Sequence, residues 1–463
     1  MMRRCLFIVL LAAVAHASAQ QAWKTFEDEE AVDQAINTHY SDRSGNFYLG
    51  TSSGLYVYHD STWTLINRIE STADNSREIM GNVRQVWQDK NGNIWVAADR
   101  KLFVYNGKLW IHAKDKEYQG YTPRFFFQDS RGYVWICSEQ KDADQYESSY
   151  SMPIIRGTVT VLTGEAWISC GYDAGGSDYV RRGNEKEYYT GILEDNKGSI
   201  WISSIMGLSI FTGAEWLSLS KDDLPSDYVN DMMQDSDGNI WVATTGGVAR
   251  FDNSAWTLFK RKDGIASGNA EKICQDRAGR VWAFLYGNLG FQGVSCYQDG
   301  RWTNFSEGKE IPSSNLITSY EDFSRTGIFM TSDEAEWFGG QLWIVLGPVN
   351  GLEGEEYFLM QSDSSGTAWI ATDKGLFQGA GMEFRKLMTP SDGTWEVTSM
   401  LRDSKGRIWL ATSDSRVYLE DQGKVTLFTE SDGLPEDEVK DIAEDQAGRI
   451  WLIYRRQVAL YKF

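Results

Sequence analysis

A chain of 463 residues with 65 acidic and 45 basic side chains has a formal charge of −20. A surface that acidic repels nucleic acid and anionic lipid, so neither is an expected partner. After residue 20 no stretch approaches the roughly 18 consecutive apolar residues needed to cross a bilayer, and no membrane span is expected.

The first element is a leader. Arg3 and Arg4 precede an apolar run over residues 6–15, and Ala17-Ser18-Ala19 forms a small-x-small cleavage site. This pattern predicts a secretory signal peptide over residues 1–19, cut after Ala19, and hence a periplasmic or secreted protein. Cys5 lies ahead of the apolar run, which argues against a lipid-attachment cysteine.

From residue 20 onward one motif recurs: apolar-x-x-apolar-x-x-Asp-x-x-Gly-x-apolar-Trp. It is cleanest at residues 89–95, 235–241, 403–409 and 445–451. Its aspartates are Asp42, Asp89, Asp129, Asp195, Asp235, Asp276, Asp363, Asp403 and Asp445, with a worn copy at Asp322. They are mostly 40 to 47 residues apart, with 66 between Asp129 and Asp195. A fixed period of that length means a stacked or circular repeat architecture.

Each copy divides into four short strand-like runs, in the fifth copy residues 229–234, 240–243, 248–251 and 256–259. Asp-x-x-Gly between the first two suits a type I turn followed by a left-handed glycine, because Asp bonds the turn amides and Gly accepts positive φ. The Trp that follows has apolar neighbours in sequence, as in a strand buried on both faces. Four antiparallel strands per period, repeated radially, predict an all-β chain: a β-propeller of ten four-stranded blades.

The ends fit that reading. The tenth copy stops after its third run, while Trp23-Lys24-Thr25-Phe26 has the pattern of a fourth. The N-terminal strand is therefore expected to close one ring over residues 20–463. Two smaller propellers are the alternative; a solenoid fits less well, since it needs polar caps at both ends. Cys137 and Cys170 fall on the second and fourth strands of one blade, Cys274 and Cys296 on the first and third of another. Strands two apart lie roughly 9.6 Å from each other, beyond the ~7 Å reach of a disulfide, so free thiols are expected.

The run from Gly238 through Ile240, Trp241, Val242 and Ala243 to Gly247, Val248 and Phe251 resembles the two-component regulator propeller repeat. Residues 369–377, with Trp369, Gly375, Leu376 and Phe377, and residues 49–56, with Gly54, Leu55 and Tyr56, resemble it in the same way. The resemblance implies the extracytoplasmic sensor half of bacterial receptors, many of which respond to oligosaccharides. Such receptors often continue into a membrane helix and a histidine kinase. Only the recognition module carries over to these ten copies, so a separate membrane-bound kinase or an envelope protein is the implied partner.

Candidate chemistry is sparse. Most Asp-x-x-Gly turns supply one carboxylate and lack the alternating ligands of a calcium loop, so no metal and no cofactor is expected. His39, His59 and His112 are the histidines left after the leader, the last two at outer-strand positions where exposure is expected. No Ser/His/Asp constellation stands out, and no catalytic residue is assigned. The chain also resembles streptogramin lyases, propellers with similar Gly-x-Leu-Trp repeats, which keeps a lyase or hydrolase as a third reading.

The loops say more. First-to-second turns open on one face of a propeller, second-to-third and fourth-to-first connections on the other. Asp-x-x-Gly turns are uniform, as a structural face should be, whereas the third copy carries insertions at residues 139–156 and 171–189 on the other face. These hold Tyr146, Tyr150 and Tyr172 with Arg181 and Arg182, and tyrosine among Ser, Gly and Asn is an adaptable recognition composition. Arg100 and Lys101 of the second copy and Arg455 and Arg456 of the tenth lie in corresponding loops, and Tyr286 in the lengthened stretch 285–293 faces them across the ring. The expected ligand-binding set is Arg100, Tyr146, Tyr150, Tyr172, Arg181, Arg182, Tyr286 and Arg456, with Arg forking onto carboxylate or sulfate. The leading expectation is an exported, non-catalytic recognition propeller for a glycan or small polar or anionic ligand. A protein-interaction scaffold is the alternative.

Overall fold

The repeated Trp sits on the second strand of eight of the ten copies, and the burial of that strand organises everything around it. In the computed structural model the described residues are 22–26, 34–70, 77–112, 122–142, 154–163, 166–169, 189–266, 268–276, 278–287, 290–306, 327–330, 335–338, 343–363, 365–390 and 395–462. They form ten successive antiparallel sheets, nine of four strands and the seventh of three described strands. Second strands such as Phe47–Thr51, Ile94–Ala98, Ile240–Thr244 and Ile408–Thr412 are buried at every residue. A strand paired on both edges and buried on both faces lies between two neighbouring sheets, so each sheet is one blade of a β-propeller.

The aspartate of the motif fixes each turn. Asp89 Oδ1 accepts the N–H groups of Asn91 and Asn93 at 2.9 Å each, and Oδ2 accepts the Trp95 indole N–H at 3.0 Å. Asp235 and Asp403 repeat all three bonds, with Trp241 and Trp409 as the indole donors. In the first blade the Tyr48 hydroxyl replaces the indole, 2.8 Å from Asp42 Oδ2. The six-residue interval from Asp to Trp is thus a hydrogen-bonding requirement, since a buried indole N–H needs an acceptor. Gly92, in the left-handed region at φ 92°, completes the turn as its spacing predicts.

The residue before the aspartate ties one blade to the previous one in seven of the blades. Gln88 Oε1 accepts the Arg43 N–H at 3.0 Å, Gln234 Oε1 that of Asn196 at 2.9 Å, and Gln275 Oε1 that of Ser236 at 2.7 Å. Where the acceptor is glutamate the donor is a serine, and two bonds form: Ser404 N–H and Oγ to Glu444, both at 2.6 Å. The last such rung joins the chain's two ends, from the Gln446 N–H to Ser41 Oγ at 3.0 Å.

That junction is also where the N-terminal strand lies. Trp23–Phe26 pairs antiparallel with Val458–Tyr461, Trp23 opposite Tyr461 and Phe26 opposite Val458, and supplies the tenth sheet's fourth strand. Trp23 packs edge-on to Trp409 of the ninth blade, and Phe26 lies against Tyr58 and Trp63 of the first. Phe47 stacks flat on Trp451 with centroids 4.5 Å apart.

First strands meet first strands. In eight blades the pairing of the first strand slips by one residue, leaving Asn37, Arg84, Arg124, Thr190, Asn230, Glu271, Phe358 and Thr398 unopposed. Such bulges bend the strand and re-aim a side chain. Several reach the next blade at or just before its first strand: Asn37 Nδ2 to the Val83 carbonyl at 2.9 Å, Asn230 Nδ2 to the Ala270 carbonyl at 2.7 Å, Thr398 Oγ1 to the Val439 carbonyl at 3.1 Å. The bulged edge therefore surrounds the axis of the propeller.

Three differences from the sequence reading follow. The stretch 139–156 is partly strand, because Val134–Asp142 pairs with Ile154–Thr163 as far as Asp142 opposite Ile154. Residues 285–293 are likewise a hairpin, with Leu285 opposite Gly293 and Tyr286 opposite Phe291. In the second, β-forming residues, Leu285, Tyr286 and Phe291, flank the tip and carry the ladder past the common period. An additional hairpin, Arg68–Glu70 with Arg77–Ile79, lies between the first two blades. Cys137, Cys274 and Cys296 are free, as expected, and burial pushes the Cys296 thiol up to about 12. Cys170 and Asp322 lie outside the described residues.

Candidate functional site

The two faces of the propeller differ in what their side chains are engaged with. On the Asp-x-x-Gly face the carboxylate oxygens are occupied by turn amides and indoles, which leaves these turns as structure. Among the described residues no three His, Cys, Asp or Glu side chains gather to hold a metal.

On the opposite face the structure places three of the eight expected site residues. Arg100 is exposed at the tip between Ile94–Ala98 and Lys101–Tyr105. Arg456 is exposed with Arg455 at the tip between Ile450–Ile453 and Val458–Tyr461, and the Ile36 N–H bonds the Arg455 carbonyl at 3.0 Å. That bond seats the tenth blade's tip on the first strand of the first blade. Tyr286 is half-buried on its hairpin strand, its phenol pKa pushed up by burial and by Glu271. Tyr146, Tyr150, Tyr172, Arg181 and Arg182 lie outside the described residues.

Two further exposed guanidinium groups belong to the second blade and to the hairpin that precedes it. Arg84 is the bulged residue of the innermost strand, exposed at the edge of the axis, and Arg68 is exposed on the extra hairpin. Neither has a carboxylate partner among the described residues. Sequence reasoning missed both. Alternation along the strand does not say where a bulged residue points, and the extra hairpin shows in the sequence only as a longer interval from Asp42 to Asp89. Lys101, by contrast, is engaged: its Nζ lies 3.0 Å from Glu78 Oε2 and 3.4 Å from the Ile79 carbonyl. Arg455 and Arg456 of the tenth blade, Asn37 of the first, and Arg84 and Arg100 of the second thus lie on three consecutive blades.

The histidines divide. His59 is exposed as expected, its Nδ1 2.6 Å from Asn46 Oδ1. His112 is not: its side chain is 15% exposed, 3.6 Å from Glu78 and against Phe103, because the extra hairpin covers it. His39 Nε2 is 3.7 Å from Asp441 Oδ2, while Ser399 Oγ donates to Asp441 Oδ1 at 3.2 Å. The carboxylate stands between serine and histidine, so imidazole is not placed to take the serine proton and the cluster is no nucleophile–base pair. Burial lowers the His39 pKa, opposed by Asp441.

The family model for the two component regulator propeller matches residues 223–246 and 393–414. Both segments run from a fourth-to-first connection through a first strand into the Trp-bearing second strand. The chain carries two-component regulator propeller repeats. The repeat is thus the unit described above, with its aspartate, glycine and tryptophan. Among solved structures the chain is similar to the extracellular domain assigned to a one component system of B. thetaiotaomicron, at 13% identity and TM-score 0.32 over 92% of this chain. It spans 64% of that domain's length. It is also similar to PorZ, a surface component of the type-IX secretion system of Porphyromonas gingivalis, at 12% identity and TM-score 0.29, covering 92% of this chain and 67% of that one. Virginiamycin B lyase from Staphylococcus aureus is similar at 11% identity and TM-score 0.34, over 68% of this chain and 95% of that one. No curated protein matches. Among the described residues no helix is long and apolar enough to cross a membrane.

Proposed function

We propose that the protein is an exported, non-catalytic recognition propeller, one ten-bladed ring over residues 20–463, that binds a glycan or small polar or anionic ligand at its arginine-bearing mouth. The observation that carries this reading is the set of exposed guanidinium groups, Arg456, Arg84 and Arg100, on the face opposite the Asp-x-x-Gly turns. Each can form a bidentate fork with carboxylate or sulfate. The sequence reading adds Arg181 and Arg182 as donors and Tyr146, Tyr150, Tyr172 and Tyr286 as stacking surface to this proposed set. A membrane-bound kinase or envelope protein would receive the signal. The test is titration of neutral, carboxylated and sulfated oligosaccharides into wild type, into Arg84→Ala with Arg100→Ala and Arg456→Ala, and into Lys90→Ala with Lys405→Ala on the opposite turns. Loss with the arginine set alone supports the reading. Loss with the lysine pair alone, or no binding by wild type, refutes it.

A further inference from the structure

Connections after the fifth, seventh and ninth blades fold alike. Each fourth strand runs into a one-turn 3-10 helix, then a left-handed glycine, Gly264, Gly351 or Gly433, then a buried aliphatic anchor, Ile265, Leu352 or Leu434. The common frame presents three tips: Arg261-Lys262-Asp263, Pro348-Val349-Asn350 and Glu430-Ser431-Asp432. One tip is basic, one apolar, one acidic.

Their charges lack internal partners. Lys260, Arg261 and Lys262 are exposed with no carboxylate on their side chains among the described residues. Asp263 Oδ2 instead accepts the Lys260 N–H at 3.0 Å, closing its own turn, and Asp432 Oδ2 does the same for Thr429 at 2.9 Å. At the ninth blade Glu430, Glu436 and Asp437 are exposed without a cation. Glu430 and Glu436 are close enough to share a hydrogen bond, which holds the Glu430 carboxyl above its usual range. Val349, on the middle tip, is 98% exposed, the most exposed large apolar side chain among the described residues.

We propose that these three tips form a two-fold, face-to-face interface with a second copy of the chain. The proposal rests on the single-ring order of blades given above, in which the fifth and ninth tips lie equally far on either side of the seventh. A two-fold axis through the seventh tip then sets Val349 against the Val349 of the second copy. It brings each basic fifth tip onto the other copy's acidic ninth tip, twice per dimer, as an isologous interface requires. Opposite charges meet at both flanks and an apolar pair at the axis. The same operation sets the tenth, first and second blades of one copy opposite the fourth, third and second of the other, so the arginine-bearing mouth is enclosed between the two copies. Such an interface is weak and salt-sensitive, because its ion pairs are near the surface.

Sedimentation velocity of the mature chain at about 0.02 M and about 0.5 M salt reads the dimer directly. Dimer at low salt and monomer at high salt is expected. Arg261→Glu with Lys262→Glu should weaken association at least about tenfold, as should Glu430→Lys with Glu436→Lys, since like charges then meet at both flanks. An equimolar mixture of the two charge variants should dimerise again, because each restores opposite charges to the other. Val349→Cys should form an intermolecular disulfide under mild oxidation. Thermal melts of each variant exclude unfolding as the cause. Wild type that stays monomeric at low salt, a mixture that fails to associate, or a dimer indifferent to both charge variants overturns the proposal. The ring order is tested separately, by the closure deletion below.

Discussion

The two faces of this propeller are built from the same strands and do opposite things with their polar groups. On the turn face Asp235 bonds two turn amides and the Trp241 indole, and the Ser236 N–H goes to Gln275 of the next blade. On the other face Arg84, Arg100 and Arg456 are exposed, and Lys101 is engaged by Glu78 of a hairpin outside the repeat. A face whose hydrogen bonds are all internal must repeat to keep its geometry, while one whose side chains point to solvent is free to diverge. Repetition marks structure here, and departure from it marks the surface open to function.

Four experiments break or sharpen that contrast. The largest effect is expected from deleting residues 20–28, which removes Trp23 and Phe26, each 1% exposed, and opens the edge of Val458–Tyr461. Loss of two buried aromatics should cost at least about 5 kcal/mol in denaturant unfolding. An unchanged melting temperature would show that the strand closes nothing.

Next is Asp235→Ala. It strands two turn amides and a buried indole N–H, and charge-assisted bonds of this kind contribute about 1.5–3 kcal/mol each. A loss of about 3–5 kcal/mol is expected, against about 0.5 kcal/mol or less for Arg100→Ala on the other face. Equal effects at both sites would erase the difference between the faces.

The arginine set reverses the comparison. Arg84→Ala with Arg100→Ala and Arg456→Ala should leave the melt nearly unchanged and weaken an anionic ligand at least about tenfold, as measured by calorimetry.

The smallest effect concerns pH. Burial depresses the His39 pKa below 6.5, with Asp441 working against it, so the folded state binds fewer protons than the unfolded one. His39 therefore contributes stability that is present above its unfolded pKa and lost as pH falls through the folded value. Melting temperatures from pH 7.5 to 5 should fall more steeply for wild type than for His39→Gln. Parallel slopes would mean that the imidazole is not buried at the junction.

The fold was legible because its determinants are local and repeated. Asp89, Gly92 and Trp95 stand at intervals that one turn and one buried indole impose, and Trp23 could be matched to Trp256 by pattern alone. Much of the candidate site was not legible. Arg84 is exposed because a bulge disturbs the alternation from Val83 onward, and no residue type in that strand announces the bulge. His112 is covered by a hairpin, with Ile69 opposite Glu78, that stands outside the repeat and so is not placed by its period. Lys101 looked like a member of the basic cluster until Glu78 appeared beside it. Non-local pairing of this kind is invisible to a period of forty residues.

The rung between neighbouring turns has a consequence for how such a chain can grow. Several repeats bring a donor for the neighbour on one side, such as the Asn196 N–H, and an acceptor for the neighbour on the other, such as Glu194. The two halves of the joint are encoded in the same segment of about one period. A duplicated segment that carries matching halves therefore arrives already compatible with its own copy. Serine paired with glutamate, as at Ser130 with Glu194 and Ser404 with Glu444, is a second version of the joint that holds with two bonds. Copy number in this architecture is thus an inheritable variable of the gene, held in check only by whether the first and last strands still find each other.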